Sequence, residues 1–272
     1  MLPDRDYGLQ MRFAKHDIAE FYKSRAADSP ILTERRKWLE RDPDTYRALY
    51  PEGRELLDET VEIAISLQTL PSEDDIHDFK AHDPIERCRL LGSLWEADFL
   101  LMKPDAQGVF RMVGGCLCFP SHWALREKMG QSMTAIHAPV PGLNETLGKQ
   151  IDGFLQRMKP GISWERFNWG LSRTPELNLH PSRDFPQLNA SVALDEVWWR
   201  LEEQSLVALP ESGGILFGIK IAVKPLAEII SDPDARTGML RALQTMPEPM
   251  ARYKGIAPAR ERLVELVEKT PQ

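Results

Sequence analysis

One strand stands out in the hydrophobic pattern, because apolar residues occupy every second position over residues 215–223. These positions are Ile215, Phe217, Ile219, Ile221 and Val223. Alternation with a period of two is typical of a strand with one buried face. The segment Val197 to Leu209 precedes it across Pro-Glu-Ser-Gly-Gly, which predicts an antiparallel pair. Upstream, Phe99 to Met102 and Val109 to Phe119 flank a turn-like segment and predict a hairpin.

Helical periodicity marks both ends of the chain and one segment between the strands. Residues 17–70 are rich in helix formers, and Pro43 is expected to stop or kink a helix there. The acidic, polar run from Ser72 to Asp83 predicts a loop or a connecting segment. Further amphipathic stripes consist of Leu147, Ile151, Phe154, Leu155 and Met158, and of Leu263, Val264 and Val267.

Helices on both sides of an antiparallel sheet predict an α+β fold. We expect a single domain over residues 1–272. Within it we expect a helical N-terminal part (10–90), a sheet-containing core (93–225) and a helical C-terminal part (225–270). A chain of 272 residues is long enough to bury most of its apolar surface in such a fold.

Composition and charge exclude several classes of function. The net charge is −7, so there is no basic excess to meet the phosphates of a nucleic acid. No apolar run approaches the roughly 18–20 residues of a membrane-spanning helix. The N-terminus is charged and has no apolar stretch of signal-peptide length. We therefore expect a cytoplasmic protein without a nucleic-acid or membrane partner, and the oligomeric state stays open.

Motifs of the common enzyme classes are absent from the sequence. There is no GxGxxG or GxxxxGK[ST] nucleotide fingerprint and no GxSxG or HExxH motif. The three cysteines are too few for a disulfide framework. Cys116 and Cys118 lack the further ligands that a zinc site or an iron–sulfur cluster needs. We interpret the cysteines as small buried hydrophobic residues.

The histidines are the candidate metal ligands: His16, His77, His82, His122, His137 and His180. His137 lies in an uncharged stretch, Ala135 to Pro141, which two prolines stiffen. A neutral, buried imidazole there could bind a metal, or it could be a core histidine bonded to a backbone carbonyl. Both interpretations stay open at this point. We expect a surface position for His122 and solvated positions for His16, His77 and His82.

Two further clusters combine side chains suited to binding a ligand. Arg166-Phe167-Asn168-Trp169 places a cation and an amide beside a large aromatic ring. Arg200, Glu202 and Gln204 alternate along a predicted strand, so their side chains share one face. Burying such a row without partners would be costly. The row is therefore either a solvated face of the sheet or a binding surface.

These clusters are also where the chain resembles the haem-dependent oxidative N-demethylase family. The matching pieces, in the family's order and spacing, are Phe119-Pro-Ser-His-Trp123, Lys128 with Gly130, Ile136-His-Ala-Pro-Val-Pro141, Arg166-Phe-Asn-Trp169, Arg200-Leu-Glu-Glu-Gln-Ser-Leu206 before Leu209-Pro210, and Met246-Pro247 with Tyr253-Lys-Gly255. The N-terminal helical region is similar as well. The resemblance covers roughly residues 10 to 268, and an ordered match of six pieces is far more specific than any one of them.

The resemblance implies a PAS-like antiparallel sheet that holds haem b through a histidine. It implies His137 as the iron ligand, because the Ile-His-Ala-Pro-Val-Pro piece is the tightest match that contains a histidine. The residues then expected around the cofactor are Trp123, Arg166, Asn168, Trp169, Arg200, Glu202 and Gln204. Among these, Arg166 or Arg200 is expected near the propionates, since arginine suits carboxylates.

The resemblance also implies a reaction and its partners. Family members oxidise a small methylamine such as dimethylamine, with O₂, to a primary amine and formaldehyde. The electrons are expected from NADPH through FMN and a [2Fe–2S] centre on a separate reductase subunit, because this chain has no flavin, nicotinamide or four-cysteine motif. Two other readings remain: a haem-binding sensor or gas-binding module without turnover, and a haem-free structural subunit.

The chain departs from the family pattern at two places. Glu203 stands where an arginine is typical, and Leu94 to Asp98 replaces a more usual Val-Gln-Glu-Asp run. If the missing arginine held a propionate, haem affinity or activity would be reduced here. The effect of either departure depends on its distance from the residues expected around the cofactor.

Overall fold

The computed structural model describes residues 3–23, 29–70, 79 and 81–269. His77 and most of the loop predicted over Ser72 to Asp83 lie outside the described residues. Across the described ranges, no helix has the length and apolar character needed to cross a membrane.

A mixed set of helices surrounds one antiparallel sheet, as the α+β prediction requires. The strands are β1 (Ala14–Lys15), β2 (Arg47–Leu49), β3 (Asp98–Pro104), β4 (Phe110–Cys116), β5 (Ser163–Ser172), β6 (Trp198–Ala208) and β7 (Ile215–Pro225). Their order across the sheet is β1-β5-β6-β7-β3-β4-β2, with every pair antiparallel. The predicted pair is β6 and β7, and the predicted hairpin is β3 and β4, so both predictions are confirmed.

The helices agree with the predicted regions in most places. They are α1 (Ile18–Tyr22), α2 (Pro30–Arg41), α3 (Pro43–Tyr46), α4 (Arg54–Ser66), α5 (Pro84–Leu94), α6 (Leu125–Lys128), α7 (Met133–His137), α8 (Leu143–Arg157), α9 (Leu226–Ile230), α10 (Pro233–Thr245), α11 (Glu248–Tyr253) and α12 (Arg260–Lys269). Pro43 stops α2 and occupies the first turn of α3, where its missing N–H costs nothing. The prediction of helix throughout 17–70 is wrong at Arg47–Leu49, which forms β2 beside β4.

The strand register divides the sheet into two faces. Asn168 pairs with Glu202, and Arg166 pairs with Gln204, so these four side chains share one face, here called the site face. Ile221 and Ile219 of β7 pair with Glu202 and Gln204 and therefore lie on the same face. Helix α8 covers one end of it by packing on a cluster that includes Leu206 and Ile215. The N-terminal helices and the C-terminal helices form two further cores.

The N-terminal core holds a buried ion pair. Arg35 of α2 donates to Asp98 of β3 at 2.7 Å, and neither side chain has any exposed surface. Asp98 also accepts the backbone N–H groups of Cys118 at 2.6 Å and Phe119 at 3.1 Å. Arg35 completes its contacts with the carbonyl of Gly92 at 2.7 Å. The pair thus fixes the point where β4 leads into the segment 117–123.

The cysteines are buried thiols, as predicted. Cys88, Cys116 and Cys118 are free and buried, and the sulfurs of Cys116 and Cys118 lie 3.9 Å apart. Burial raises the pKa of the Cys88 thiol to about 12. A thiol in this environment remains protonated and inert at neutral pH.

Candidate functional site

A hydrogen-bonded carboxylate lies at the centre of the site face. Glu202 accepts bonds from Ser121 Oγ at 2.6 Å, Gln204 Nε2 at 2.9 Å and Asn168 Nδ2 at 3.2 Å. Ser121 belongs to the segment after β4, and Asn168 to β5, so three parts of the chain converge on one side chain. The predicted row is therefore organised by mutual hydrogen bonds and not merely solvated.

The guanidinium of Arg200 is held by hydrogen bonds within the protein. Its side chain is buried, and its guanidinium donates to Ser121 Oγ at 2.8 Å. It also donates to the backbone carbonyls of Phe119 and Leu177, both at 2.8 Å, and of Glu176 at 3.3 Å. Burial lowers the pKa of Arg200 to about 10, although Glu202 opposes this shift. These contacts support a positioning role for Arg200 and leave Arg166 as the arginine available to a ligand carboxylate.

Arg166 and His137 are half-buried side chains for which the described residues supply no hydrogen-bond partner. Arg166 projects from β5, and burial lowers the pKa of its guanidinium despite the nearby Glu202. His137 ends the short helix α7. Burial, and then the charges of Arg166 and Lys128, lower the pKa of His137 to about 4. Its imidazole is therefore neutral at physiological pH, which is the form that binds a metal.

The neutral state of His137 predicts a pH dependence of stability in the haem-free protein. Between pH 6.5 and about 4 the unfolded chain binds a proton at this residue and the folded chain does not. The free energy of unfolding should therefore fall as the pH is lowered through that window, and the contribution of this residue to the slope should vanish about one pH unit above 6.5. Urea unfolding at pH 7.5 and 5 should show a smaller loss for His137→Gln than for the wild type. Equal losses in both proteins would contradict the prediction.

Partly buried apolar side chains complete the surroundings of the site face. Trp123, Met129 and Ile136 pack against the N-terminal core, to which Ile219 and Ile221 also belong. Because these two isoleucines share the site face with Glu202, an apolar strip lies beside the polar network. Ile219 and Ile221 are themselves almost fully buried, so the accessible part of these apolar surroundings belongs to Trp123, Met129 and Ile136.

Three residues at the rim were not predicted as site residues. Lys254 Nζ donates to the carbonyl of Trp169 at 2.6 Å and to Asn168 Oδ1 at 3.3 Å. Burial lowers its pKa to about 8. Tyr253 is 51% exposed, and burial together with Glu202 raises its pKa. Ser121, described above, is the third. All three lie in matched sequence pieces, but no local pattern marks their roles.

The two aromatic residues expected around the cofactor have different settings. Trp123 packs on the N-terminal core. Trp169 packs on the C-terminal core, with its ring edge-on to Tyr7 at 6.5 Å and 5.5 Å from Lys254 Nζ. Its side chain alternates with that of Asn168 along β5, so it lies on the face of the sheet opposite to the site face. Only the backbone carbonyl of Trp169 meets Lys254 at the rim.

Of the two departures from the family pattern, Glu203 lies off the site face, and within the Leu94 to Asp98 run Asp98 pairs with the site-face residue Ile219. Glu203 pairs with Phe167 and Lys220 on the opposite face of β6, so an arginine there would not reach a ligand on the site face. Within Leu94 to Asp98, Glu96 accepts a bond from Ser29 at 2.7 Å in the buried N-terminal region. This run affects the site only through Asp98 and the segment 117–123.

The remaining histidines differ in their surroundings. His122 is exposed, as predicted, with a left-handed φ of 63°. The expectation for His16 is wrong: it is half-buried, and its Nε2 lies 2.9 Å from Ser205 Oγ, because the N-terminal segment folds against β6. His180 Nδ1 lies 2.7 Å from Ser182 Oγ. Burial and then the charge of Arg200 lower the pKa of His122, whereas the charge of Arg166 acts on His137.

The residues present fit an iron porphyrin that one imidazole would hold. Among the described residues, no group of three or more His, Cys, Asp or Glu side chains could hold a bare metal ion. A single neutral imidazole, an unpartnered guanidinium and an apolar strip are the groups that an iron porphyrin with propionates requires.

Comparison with known families agrees with this chemistry. A family model described as haem-dependent oxidative N-demethylase, alpha subunit-like, matches residues 37–264. The match includes the site face, His137, the segment 117–123 and Lys254. The description of the family as alpha subunit-like indicates one subunit of a multi-subunit enzyme.

Proposed function

The chain belongs to the haem-dependent oxidative N-demethylase alpha subunit-like family, and on this premise we propose that it binds haem b through His137 and demethylates a small secondary methylamine. The observation that carries the proposal is the half-buried, neutral imidazole of His137, which has no hydrogen-bond partner among the described residues. An imidazole bonded to a backbone carbonyl would have favoured the alternative of a core histidine. The flanked antiparallel sheet supports a PAS-like assignment.

Arg166 is the proposed contact for a haem propionate. Its guanidinium has no protein partner among the described residues and lies near both His137 and Glu202. A partly buried cation of this kind is costly unless an anion neutralises it. The partly buried side chains of Trp123, Met129 and Ile136 would contact the body of the ring.

The proposed reaction converts a secondary methylamine, O₂, two protons and two electrons into a primary amine, formaldehyde and water. Bound haem supplies the oxidising chemistry. Glu202 uses three of about four acceptor positions on its carboxylate, so one remains for the N–H of the amine. Lys254, with a pKa of about 8, can exchange a proton at Nζ near neutral pH.

The electrons are proposed to come from a separate subunit. The sequence has no flavin, nicotinamide or four-cysteine motif, and the family description indicates a subunit of a larger enzyme. We propose a reductase that carries FMN and a [2Fe–2S] centre and takes electrons from NADPH.

A haemin titration tests the proposal and separates its alternatives. We expect a saturable Soret band on adding haemin, and formaldehyde that depends on dimethylamine once a reductant and O₂ are supplied. A Soret band without amine-dependent O₂ consumption would indicate a sensor or gas-binding module. Absence of a Soret band after addition of haemin would favour the interpretation of the chain as a haem-free structural subunit.

Replacing Arg166 should separate ligand binding from stability. We expect Arg166→Gln to weaken haemin affinity at least about tenfold, because a charge-assisted bond to a carboxylate contributes about 1.5–3 kcal/mol. The melting temperature of the haem-free protein should stay the same or rise, since a half-buried charge without a hydrogen-bond partner among the described residues is removed. Arg157→Gln removes an equal charge from an exposed position at the end of α8 and is the control. A loss of stability without a loss of affinity would contradict the propionate assignment.

A further inference from the structure

The N-terminal segment Arg5–Phe13, here called the strap, has an alternating burial pattern. Its odd-numbered residues are partly buried, and its even-numbered residues are exposed. The inward side chains include Tyr7, Leu9, Met11 and Phe13. This period of two is that of an extended chain lying with one side against the protein. The strap precedes residue 37, where the family match begins.

The strap is fastened at its two ends. At one end, Phe13 stacks on Phe154 of α8 with ring centroids 4.2 Å apart, and β1 pairs with β5 directly afterwards. At the other end, the Tyr7 N–H donates to Thr245 Oγ1 at 2.8 Å, and Asp6 pairs with Arg241 on the exposed surface at 2.6 Å.

The middle of the strap is held by side-chain packing alone. Within the described part of the chain, the backbone of residues 8–13 makes no hydrogen bond. Leu9 and Met11 pack as partly buried residues on the core beneath α8. Segments with few backbone bonds and few buried contacts open at low free-energy cost.

The strap contacts two elements that border the candidate site, the end of β5 and the segment after α7. Tyr7 lies edge-on at 6.5 Å to Trp169, whose backbone carbonyl accepts from Lys254 at the rim. Burial and then the neighbouring Tyr253 raise the pKa of Tyr7 to about 12. Leu9 packs on the same two clusters as Val140, whose N–H donates to the carbonyl of His137 at 2.9 Å. The strap therefore spans from the β5 rim to the segment that carries His137.

We propose that the strap closes the candidate site and controls how fast its ligand leaves, with Leu9 and Met11 as the closing contacts and Tyr7 as the contact at the rim. This inference rests on the proposed haem site for its ligand. The closing motion itself is a property of the haem-free chain and can be measured without the ligand.

Haem loss from the full chain measures the first consequence. We expect Leu9→Ser with Met11→Ser to transfer haemin to apomyoglobin about tenfold faster than the wild type, which corresponds to about 1.4 kcal/mol lost from the closed state. The matched control is Gln10→Ser with Arg12→Ser, which changes two exposed side chains of the same segment. Equal rates for the two double variants and the wild type would overturn the proposal.

Hydrogen exchange of the haem-free proteins measures the second consequence. In the Leu9→Ser, Met11→Ser protein, exchange should accelerate at least about tenfold in residues 133–142 and stay unchanged in β7. Unchanged exchange in 133–142 would overturn the strap proposal even if the chain takes up no haemin. Conversely, if the wild type binds no haemin but exchange is still accelerated in the double variant, the haem assignment is overturned and the strap proposal is retained. Faster exchange throughout β7 would indicate general unfolding and would count against a local strap.

Discussion

His137→Ala is expected to abolish the Soret band that haemin gives with the wild-type protein, or to replace it with the spectrum of unligated haemin. The substitution removes a neutral imidazole that lies near Arg166 and has no hydrogen-bond partner among the described residues. Because no partner bond is broken, the haem-free variant should remain folded, and the loss should be confined to ligand binding. Haemin titration followed by visible absorption measures it.

Two comparisons sharpen this result. His122→Ala removes an exposed imidazole from the neighbouring loop and should leave the spectrum unchanged. Free imidazole added to His137→Gly should restore a histidine-like spectrum, since the freed space lies where the native ring was. A wild-type spectrum for His137→Ala would place the iron ligand elsewhere and would overturn the assignment.

Asp98→Ala is expected to lower the free energy of unfolding by about 3–5 kcal/mol, the cost typical of breaking a buried ion pair from one side. The substitution leaves Arg35 charged with no exposed surface, and it leaves the N–H groups of Cys118 and Phe119 without their acceptor. Urea unfolding followed by circular dichroism gives the magnitude.

Two variants separate the ion pair from the rest of the contact. Arg35→Met combined with Asp98→Asn removes both charges and keeps an oxygen acceptor for one of the two N–H groups, so it should be more stable than Asp98→Ala. Lys224→Ala breaks an exposed pair with Glu228 and should cost at most about 0.5 kcal/mol. Similar losses for Lys224→Ala and Asp98→Ala would show that burial does not determine the energy of the pair.

The strands that could be predicted are those with a one-sided hydrophobic signal or a turn between them. β7 has the clearest alternation, and β6 and the β3–β4 hairpin follow from their turns. β5 was not predicted, because Trp164, Arg166 and Asn168 alternate with Glu165, Phe167 and Trp169, so neither face is uniformly apolar. β2 is three residues long and is fixed by pairing with β4, which no local pattern reveals.

The candidate site was predicted only where its residues share one strand or one matched piece. The common face of Glu202 and Gln204 follows from alternation. Lys254 reaches Asn168 across 86 positions of sequence, and Ser121 reaches Glu202 across 81, so both contacts depend on tertiary structure. For Arg200 the residue type was misleading. An arginine suits a ligand carboxylate, but this one is buried and donates to backbone carbonyls instead.

The segment from Cys118 to Ser121 is held from two sides by opposite charges. Asp98 accepts its N–H groups, and Arg200 takes up the carbonyl of Phe119 and the hydroxyl of Ser121. This segment forms one wall of the candidate site, and it loses its conformational entropy during folding and not when a ligand binds. Calorimetry of haemin binding should accordingly show little entropic penalty from this wall, and any ordering penalty should come from elsewhere in the chain.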